Sequence, residues 1–341
     1  MSMFEGFANV WTPVMLARRL KRKPVALTVA SEPLVLFRGA DGVPAALIDR
    51  CPHRGVRLSL GRVRVDGCIE CPFHGWRFDG GGNNVHVPLN PDAKRERLFA
   101  TSVPVRQVGD LLWIFTAPVK QAPVEPLVPD ALVDGALRRT YLERTWRCHW
   151  TRAMENMLDS PHLPFVHRST IGRPIARRMT EHSQMTVSWE PQPWGGRQRS
   201  TLDSDSSYAS LDFHRPNMMG LHIPIPGRRF VILALVVPID VETTRLIVVS
   251  ARSFAKWRAL NPLFNRINGV IADQDRAVVE SSQPKVVPPA SQEVSVATDR
   301  ATLAFRKYYF DALAVAPRLE RARAVGSPFE VSPEHHVSGE L

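Results

Sequence analysis

At 341 residues the chain is too long for one typical core and suits two domains. Its 44% hydrophobic and 23% charged residues match an ordinary globular protein, which excludes a disordered or fibrous chain. Forty-four Lys and Arg against 33 Asp and Glu give a net charge of +11, a field that attracts acidic partners or anionic substrates; the basic residues are scattered rather than interleaved with aromatics, which argues against nucleic acid.

The N-terminal stretch carries its charges after its apolar part and has no small-residue cleavage site, so no secretory signal is expected. The dense basic run "RRLKRK" from Arg18 reads as a solvated face. From Val25 to Phe115, short β-rich runs ("PLVLFR", "PAALID", "LLWIFT") alternate with Gly, Pro, Asn and Asp clusters, the pattern of a small all-β unit. Residues 116–130 carry four prolines and no helix or strand period, which reads as a stiff linker at a domain boundary. Beyond it, strand-like runs ("FVILALVV", "TRLIVVSARSF") stand beside helical patterns over Trp257–Ser282 and around "TLAFRKYYFDAL". The second half is therefore expected to be α+β. The longest apolar run, from Phe230, is about half of a bilayer span and is broken by Pro238, so no membrane helix is expected and a cytoplasmic location is inferred. The polar C-terminal tail with His335 and His336 is expected to be disordered.

Of four cysteines, Cys51, Cys68 and Cys71 share one short segment with histidines, and only Cys148 lies elsewhere. In a reducing compartment such a cluster favours metal over a disulfide. Cys51 and His53 form a C-x-H pair, Cys71 and His74 a C-x2-H pair, with 17 residues between them. Each pair sets a thiolate and an imidazole in a Pro/Gly turn able to wrap a ligand. Two Cys and two His can hold a structural zinc ion or a Rieske [2Fe–2S] centre. The loops "CPHRG" and "CPFHGW" follow the Rieske order. Residues 51–79 resemble the Rieske domain of Rieske non-haem iron oxygenases. Respiratory Rieske proteins are similar but add a disulfide between the loops, and the positions near Gly55 and Pro72 hold no further cysteine. Cys68 reads as a small buried residue on the strand leading into the second loop.

A second constellation lies in "ENMLDSPHLPFVH", Glu155 to His167. Two histidines and a carboxylate suggest part of a facial triad for non-haem Fe(II). In a regular helix His162 and His167 would point about 140° apart, but Pro161 and Pro164 let the chain bend so that both imidazoles converge. The segment resembles the family's mononuclear-iron motif. That resemblance implies that His162 and His167 bind iron, that Asn156 lies near it, and that Asp159 bridges His162 to His74 of a neighbouring subunit, the active unit being a ring, most simply a trimer. A carboxylate accepting the free N–H of His162 would also fix its tautomer. For the third ligand, Asp273 and Asp275 compete. Helical geometry places Asp275 on the face of Ile267, Ile271 and Val278, and Asp273 on a charged stripe with Arg266, Arg276 and Glu280. An aspartate turned into a core is costly unless paired or bound to metal, so Asp275 is chosen. The family's Asp followed five residues later by Glu also matches Asp275 and Glu280.

No Gly-rich dinucleotide fingerprint follows a strand, so electrons are expected from a separate NAD(P)H-dependent reductase or ferredoxin, with Arg54, Arg57 and Arg77 as candidate contacts. The resemblance thus implies a Rieske domain over 1–118, a catalytic domain of antiparallel sheet plus helices over 119–341, and an oxidoreductase using O2. The compact length and the stretch from Asp275 to Tyr309 resemble the monooxygenase and demethylase branch, which implies a small aromatic or heterocyclic substrate. Ring dihydroxylation, and a Rieske electron-transfer protein without oxygenase activity, remain the alternatives. Phe165, Met218 and Phe230 are candidate pocket residues.

Overall fold

The aliphatic and aromatic runs of the first third form three small antiparallel sheets in a computed structural model that describes residues 3–203 and 209–314; His335 and His336 lie outside the described residues. Strand β10 (Leu111–Phe115) is flanked by β1 (Trp11–Leu16) and β9 (Val105–Val108). A second sheet joins β2 (Val25–Val29), β3 (Glu32–Arg38) and β4 (Pro44–Ile48). The third is built from β5 (Arg62–Val63), β6 (Ile69–Glu70), β7 (Arg77–Phe78) and β8 (Asn84–His86), and it carries the cysteine and histidine loops. Residues 116–129 form no strand or α-helix, yet they are tied down: Trp11 Nε1 donates to Val124 O at 2.6 Å and Thr116 Oγ1 to Phe7 O at 2.6 Å.

The second half is organised by one seven-stranded antiparallel sheet. Its order is β11 (Arg138–Trp146), β17 (Thr244–Arg252), β16 (Phe230–Pro238), β15 (Met218–His222), β14 (Ala209–His214), β13 (Gly195–Leu202) and β12 (Met185–Gln192). Register decides which residues share a face: Leu211, Leu221 and Ile232 stand opposite one another, as do Phe213, Met219 and Ala234, while Asp212 and Gly220 fall between them on the other face. Helix α1 (Trp150–Leu158) packs on β15 and β16, and α4 (Asn261–Val279) on β11 and β17. Two short helices, α2 (Leu163–Val166) and α3 (Arg173–Arg178), follow α1, and α5 (Arg300–Tyr308) packs against it.

One apolar core runs through both halves. Trp150 of α1, 2% exposed, meets Phe7, Phe305 and Tyr309 edge-on, with ring centroids 5.0, 5.7 and 5.5 Å away. Burying such a side chain contributes about 1.5–3 kcal/mol by area, and edge-to-face rings add about 0.5–1.5 kcal/mol per pair. A second ion-paired lock holds α5 to α1: Arg152 pairs with Glu155 at 2.9 Å and Glu293 at 2.7 Å, and Arg306 closes the square from α5.

Helix α4 differs from the sequence expectation in extent and in face. It begins at Asn261 after a short 3-10 turn, with Pro262 in its first turn where the missing N–H costs nothing. Its buried residues are Asn268, Gly269, Ala272, Asp275 and Val279, whereas Ile267 and Val278 are 46% and 49% exposed. The inward stripe is thus rotated by about 90° from the apolar one, because small and polar residues occupy the contact. Gly269 is one of them: a Cβ there would lie 2.8 Å from Arg144 Nη2.

Candidate active site

Two loops of matching geometry bring the first four residues together. Cys51 N–H donates to Val56 O and Gly55 N–H back to Cys51 O; Cys71 N–H donates to Trp76 O and Gly75 N–H back to Cys71 O. Both turns need a left-handed residue, met by Gly55 at φ 72° and Gly75 at φ 70°. The cysteines are buried, and the His53 and His74 rings stand 4.6 Å apart with Trp76 stacked flat on His53. Burial pushes the Cys51 thiol up to about 12, and Cys71 adds to the rise. Such a thiol stays neutral unless a cation is present to bind its thiolate. His53 Nδ1 is buried without a partner. Two thiols beside two imidazoles, one with an orphaned nitrogen, fit a Cys2His2 iron–sulfur cluster. Cys68 lies outside the set; its N–H donates to Asp66 Oδ1. Arg77 is engaged by Glu70 at 2.9 Å, while Arg54, Arg57 and His74 are exposed.

The second group forms where α1 stops. Helix α1 starts at its cap His149 and ends at Leu158, because Pro161 disfavours helical geometry at the residue before it. Asp159 is extended, at φ −91° and ψ 128°. His162 and His167 then cap the two ends of α2, and their rings approach to 5.1 Å. Asp275 reaches them from α4, its Oδ1 lying 2.9 Å from His167 Nε2 and 3.5 Å from His162 Nε2. Donor atoms of the three residues all lie within 4.8 Å of one another. Asp275 and His167 are 4% and 1% exposed. Burial pulls the His167 pKa down, but Asp275 and Gln274 outweigh it and leave it raised. Two imidazoles and one carboxylate converging in this way, with no second carboxylate among the three, fit a facial triad for non-haem iron. Asp273, by contrast, points to Arg144 and Arg276, each at 3.5 Å.

Around this triad lie groups that motif reading did not reach. Gln274 Oε1 sits 3.0 Å from His167 Nδ1 and accepts from Thr170 Oγ1 at 2.9 Å. Ser160, directly after Asp159, accepts from Gln198 Nε2 of β13 at 2.6 Å, which pins the bend to the sheet. Asp159 Oδ2 lies 3.5 Å from His162 Nδ1, which is buried and makes no hydrogen bond, so within one chain Asp159 neighbours His162 and not His74. Gly172 is required by packing: a Cβ would fall 1.8 Å from Leu163 O.

The triad closes one end of a cavity whose walls include Leu211, Met219, Ile232, Ala234, Leu246 and Val248. Asn156 and Asn268 supply its uncharged polar groups, and Asn268 is hydrogen-bonded to Ser250. No Lys, Arg, Phe, Tyr or Trp side chain is among the described lining residues. The three residues suggested by sequence lie elsewhere. Phe165 is 64% exposed, Met218 is buried on the opposite face of the sheet from Met219, and Phe230 packs against Phe254 and Phe264.

Two family models divide the chain in a way that matches these two groups. Residues 10–105 match the Rieske [2Fe-2S] domain, and residues 146–314 match the vanillate O-demethylase oxygenase C-terminal domain. The chain belongs to the Rieske non-haem iron oxygenases. Members of this family carry a [2Fe–2S] cluster and a mononuclear non-haem iron. Dicamba O-demethylase, oxygenase component, of Stenotrophomonas maltophilia is 38% identical over 164 residues, which are 47% of this chain and 48% of that protein, so the match spans about half of that relative's length. Methylxanthine N3-demethylase NdmB of Pseudomonas putida is 27% identical over 331 residues, 88% of each protein. The solved structure of the Pseudomonas putida CBB5 NdmA QL mutant with caffeine superimposes with a TM-score of 0.77 at 25% identity, covering 89% of each chain. Among the described residues, no helix is long and apolar enough to cross a membrane.

Proposed function

We propose that the chain is the oxygenase component of a monooxygenase that hydroxylates or oxidatively demethylates a small, neutral aromatic or heterocyclic compound, with O2 and with electrons from a separate reductase or ferredoxin. The observation that carries this reading is the convergence of His162, His167 and Asp275 at the end of an aliphatic cavity, in a chain that also pairs Cys51 and His53 with Cys71 and His74. Demethylases acting on dicamba and methylxanthine among the relatives favour demethylation over ring dihydroxylation. A cavity with no cationic side chain in its described lining favours a neutral substrate.

In this reading Cys51, His53, Cys71 and His74 hold the cluster, and His162, His167 and Asp275 hold the iron. When bound, these centres supply single electrons and O2 activation. The chain's own residues orient and insulate. Asp159 stands 3.5 Å from the unpartnered Nδ1 of His162, Gln274 holds the ring of His167, and the aliphatic walls exclude water and fix the substrate against the triad. Asn156, whose buried Nδ2 is without a partner, has a donor to offer inside the cavity. His74 is exposed with Phe73, 59% exposed, against it, a surface suited to cover by another copy of the chain. We place Asp159 opposite His74 of the partner subunit in a trimer, with a domain boundary at 118/119 and a cytoplasmic location.

The test joins metal analysis to turnover. Purified protein should hold about three irons per chain, two with sulfide and one without. Given a reductase, it should release formaldehyde from members of a panel of methoxylated and N-methylated aromatics. Ring diols without formaldehyde would refute demethylation, and a protein with only the cluster irons would refute an oxygenase.

A further inference from the structure

Beneath the N-terminus of α4 the molecule buries positive charge that it does not neutralise. Arg252 of β17 is 0% exposed. Its Nε donates to Ala255 O at 3.2 Å, its Nη2 donates to Asn261 Oδ1 at 2.9 Å, and its guanidinium lies 3.9 Å from the centroid of Phe264. Nη1 has no partner. Directly opposite on β11 stands Arg138, whose Nε is likewise buried and without a partner. Like charges facing one another across a sheet repel, and a buried cation with no counter-ion is costly to keep.

Among the described residues no ion pair compensates. The first turn of α4 holds no acidic residue and no side-chain cap, so the positive end of the helix dipole adds to the field. A groove of about 1040 Å³ opens over this corner, with Arg138, Arg258, Asn261, Asn265 and Arg266 in its walls. Thr140, 2% exposed and with an unpartnered Oγ1, also lines it. Other arginines of the same groove are matched: Arg139 lies 3.5 Å from Asp110, and Arg144 lies 3.5 Å from Asp273. Among the described residues no ion pair reaches Arg138, Arg252, Arg258 or Arg266. A solvated arginine face needs no counter-ion, but Arg252 is not solvated.

We propose that this corner is a binding site for a small polyvalent oxyanion, of phosphate or carboxylate type, with Arg138 and Arg258 as direct ligands and Arg252 as fixed charge behind them. Guanidinium groups suit such oxyanions because their N–H donors match two oxygens at once. The unmatched donors span one cross-strand pair and the start of one helix, a footprint for a single anionic group rather than for a protein face. The site is distinct from the catalytic cavity. Fourteen residues of α4 separate Asn261 from Asp275, about 21 Å along the helix axis. Its reality does not depend on the oxygenase reading.

Calorimetric titration of the purified holoprotein with inorganic pyrophosphate and, separately, with citrate tests the site at about 150 mM salt, where weak surface attraction is screened. One saturable site per chain is expected for at least one of the two, and the stronger binder tells phosphate from carboxylate. The double variant Arg138→Gln/Arg258→Gln should weaken it by about tenfold or more, as should the single Arg258→Gln on its exposed turn, which guards against misfolding of the double variant. Arg54→Gln, beside the cluster loops, should leave it unchanged. Heats that never saturate with either anion, or an affinity unaltered in Arg258→Gln and the double variant, would overturn the proposal.

Discussion

His167 Nδ1 lies 3.0 Å from Gln274 Oε1, while Nε2 of the same ring faces Asp275 at 2.9 Å. An amide oxygen that also accepts from Thr170 cannot itself donate, so it selects the tautomer with hydrogen on Nδ1 and leaves the Nε2 lone pair toward the triad. Gln274→Leu should therefore weaken mononuclear iron binding by about 10–100-fold, the usual cost of losing such a partner, with the cluster spectrum unchanged. Gln274→Glu, which restores an acceptor, should recover most of the affinity. Competition with a chelator measures both, and unchanged affinity in Gln274→Leu would remove the role.

Asp159 is the corresponding neighbour of His162, but it is 30% exposed and 3.5 Å away, and His162 Nδ1 makes no hydrogen bond. A carboxylate that nears one histidine without bonding it and stays part-exposed suits a bridge to a second molecule better than a purely local brace. Asp159→Asn should keep both the cluster absorption and the bound iron yet lower turnover by about 100-fold. Single-turnover kinetics after chemical reduction of the cluster locate the defect. Normal turnover would show that the carboxylate carries nothing between the two centres.

The cavity wall offers a separate handle. Ala234 lines the cavity from β16, and Leu in its place would project three further carbons toward the substrate. The expected result is a rise in KM on the order of tenfold or more, with iron content and cluster spectrum intact, since steric exclusion of a few atoms in an apolar pocket is worth about 1–3 kcal/mol. A change in which substrate of a panel is preferred would fit the same cause.

Local chemistry was legible in the sequence, and long-range register was not. The cluster loops and the bend from Asp159 to His167 are written within short segments, by Pro and Gly beside Cys and His. Asp275 stands out in the sequence because a carboxylate on an inward helix face is conspicuous, although the inward face of α4 centres on Asn268, Ala272 and Asp275 rather than on Ile271. Cavity walls depend on strand pairing, where one step of register moves a side chain to the other face; Met219 therefore lines the cavity and Met218 does not. Ser160 and Gln198 are 38 residues apart and Thr170 and Gln274 are 104 apart, and no local pattern links either pair.

Two histidines away from the triad set the response to acid. His149 caps α1 beside Trp150 and Tyr309, and burial pulls its pKa down to about 4. Burial likewise lowers His214, stacked on Trp194, to about 4, although the nearby Asp212 carboxylate acts the other way and His222 and Arg197 add to the lowering. In the unfolded chain each would titrate near about 6.5. Between those values the unfolded state binds protons that the folded state refuses. Stability is therefore fully present above about pH 6.5 and falls as the pH drops toward 4, by up to about 3 kcal/mol for each residue. Asp212 has the opposite perturbation: burial opposes ionisation, but Arg197 and His222 hold its pKa far below the usual carboxylate range, so its contribution survives across this window. Urea midpoints measured between pH 7 and 4.5 should fall steeply for the natural sequence and less steeply for His214→Gln and His149→Gln. Parallel curves for all three proteins would place the acid sensitivity elsewhere.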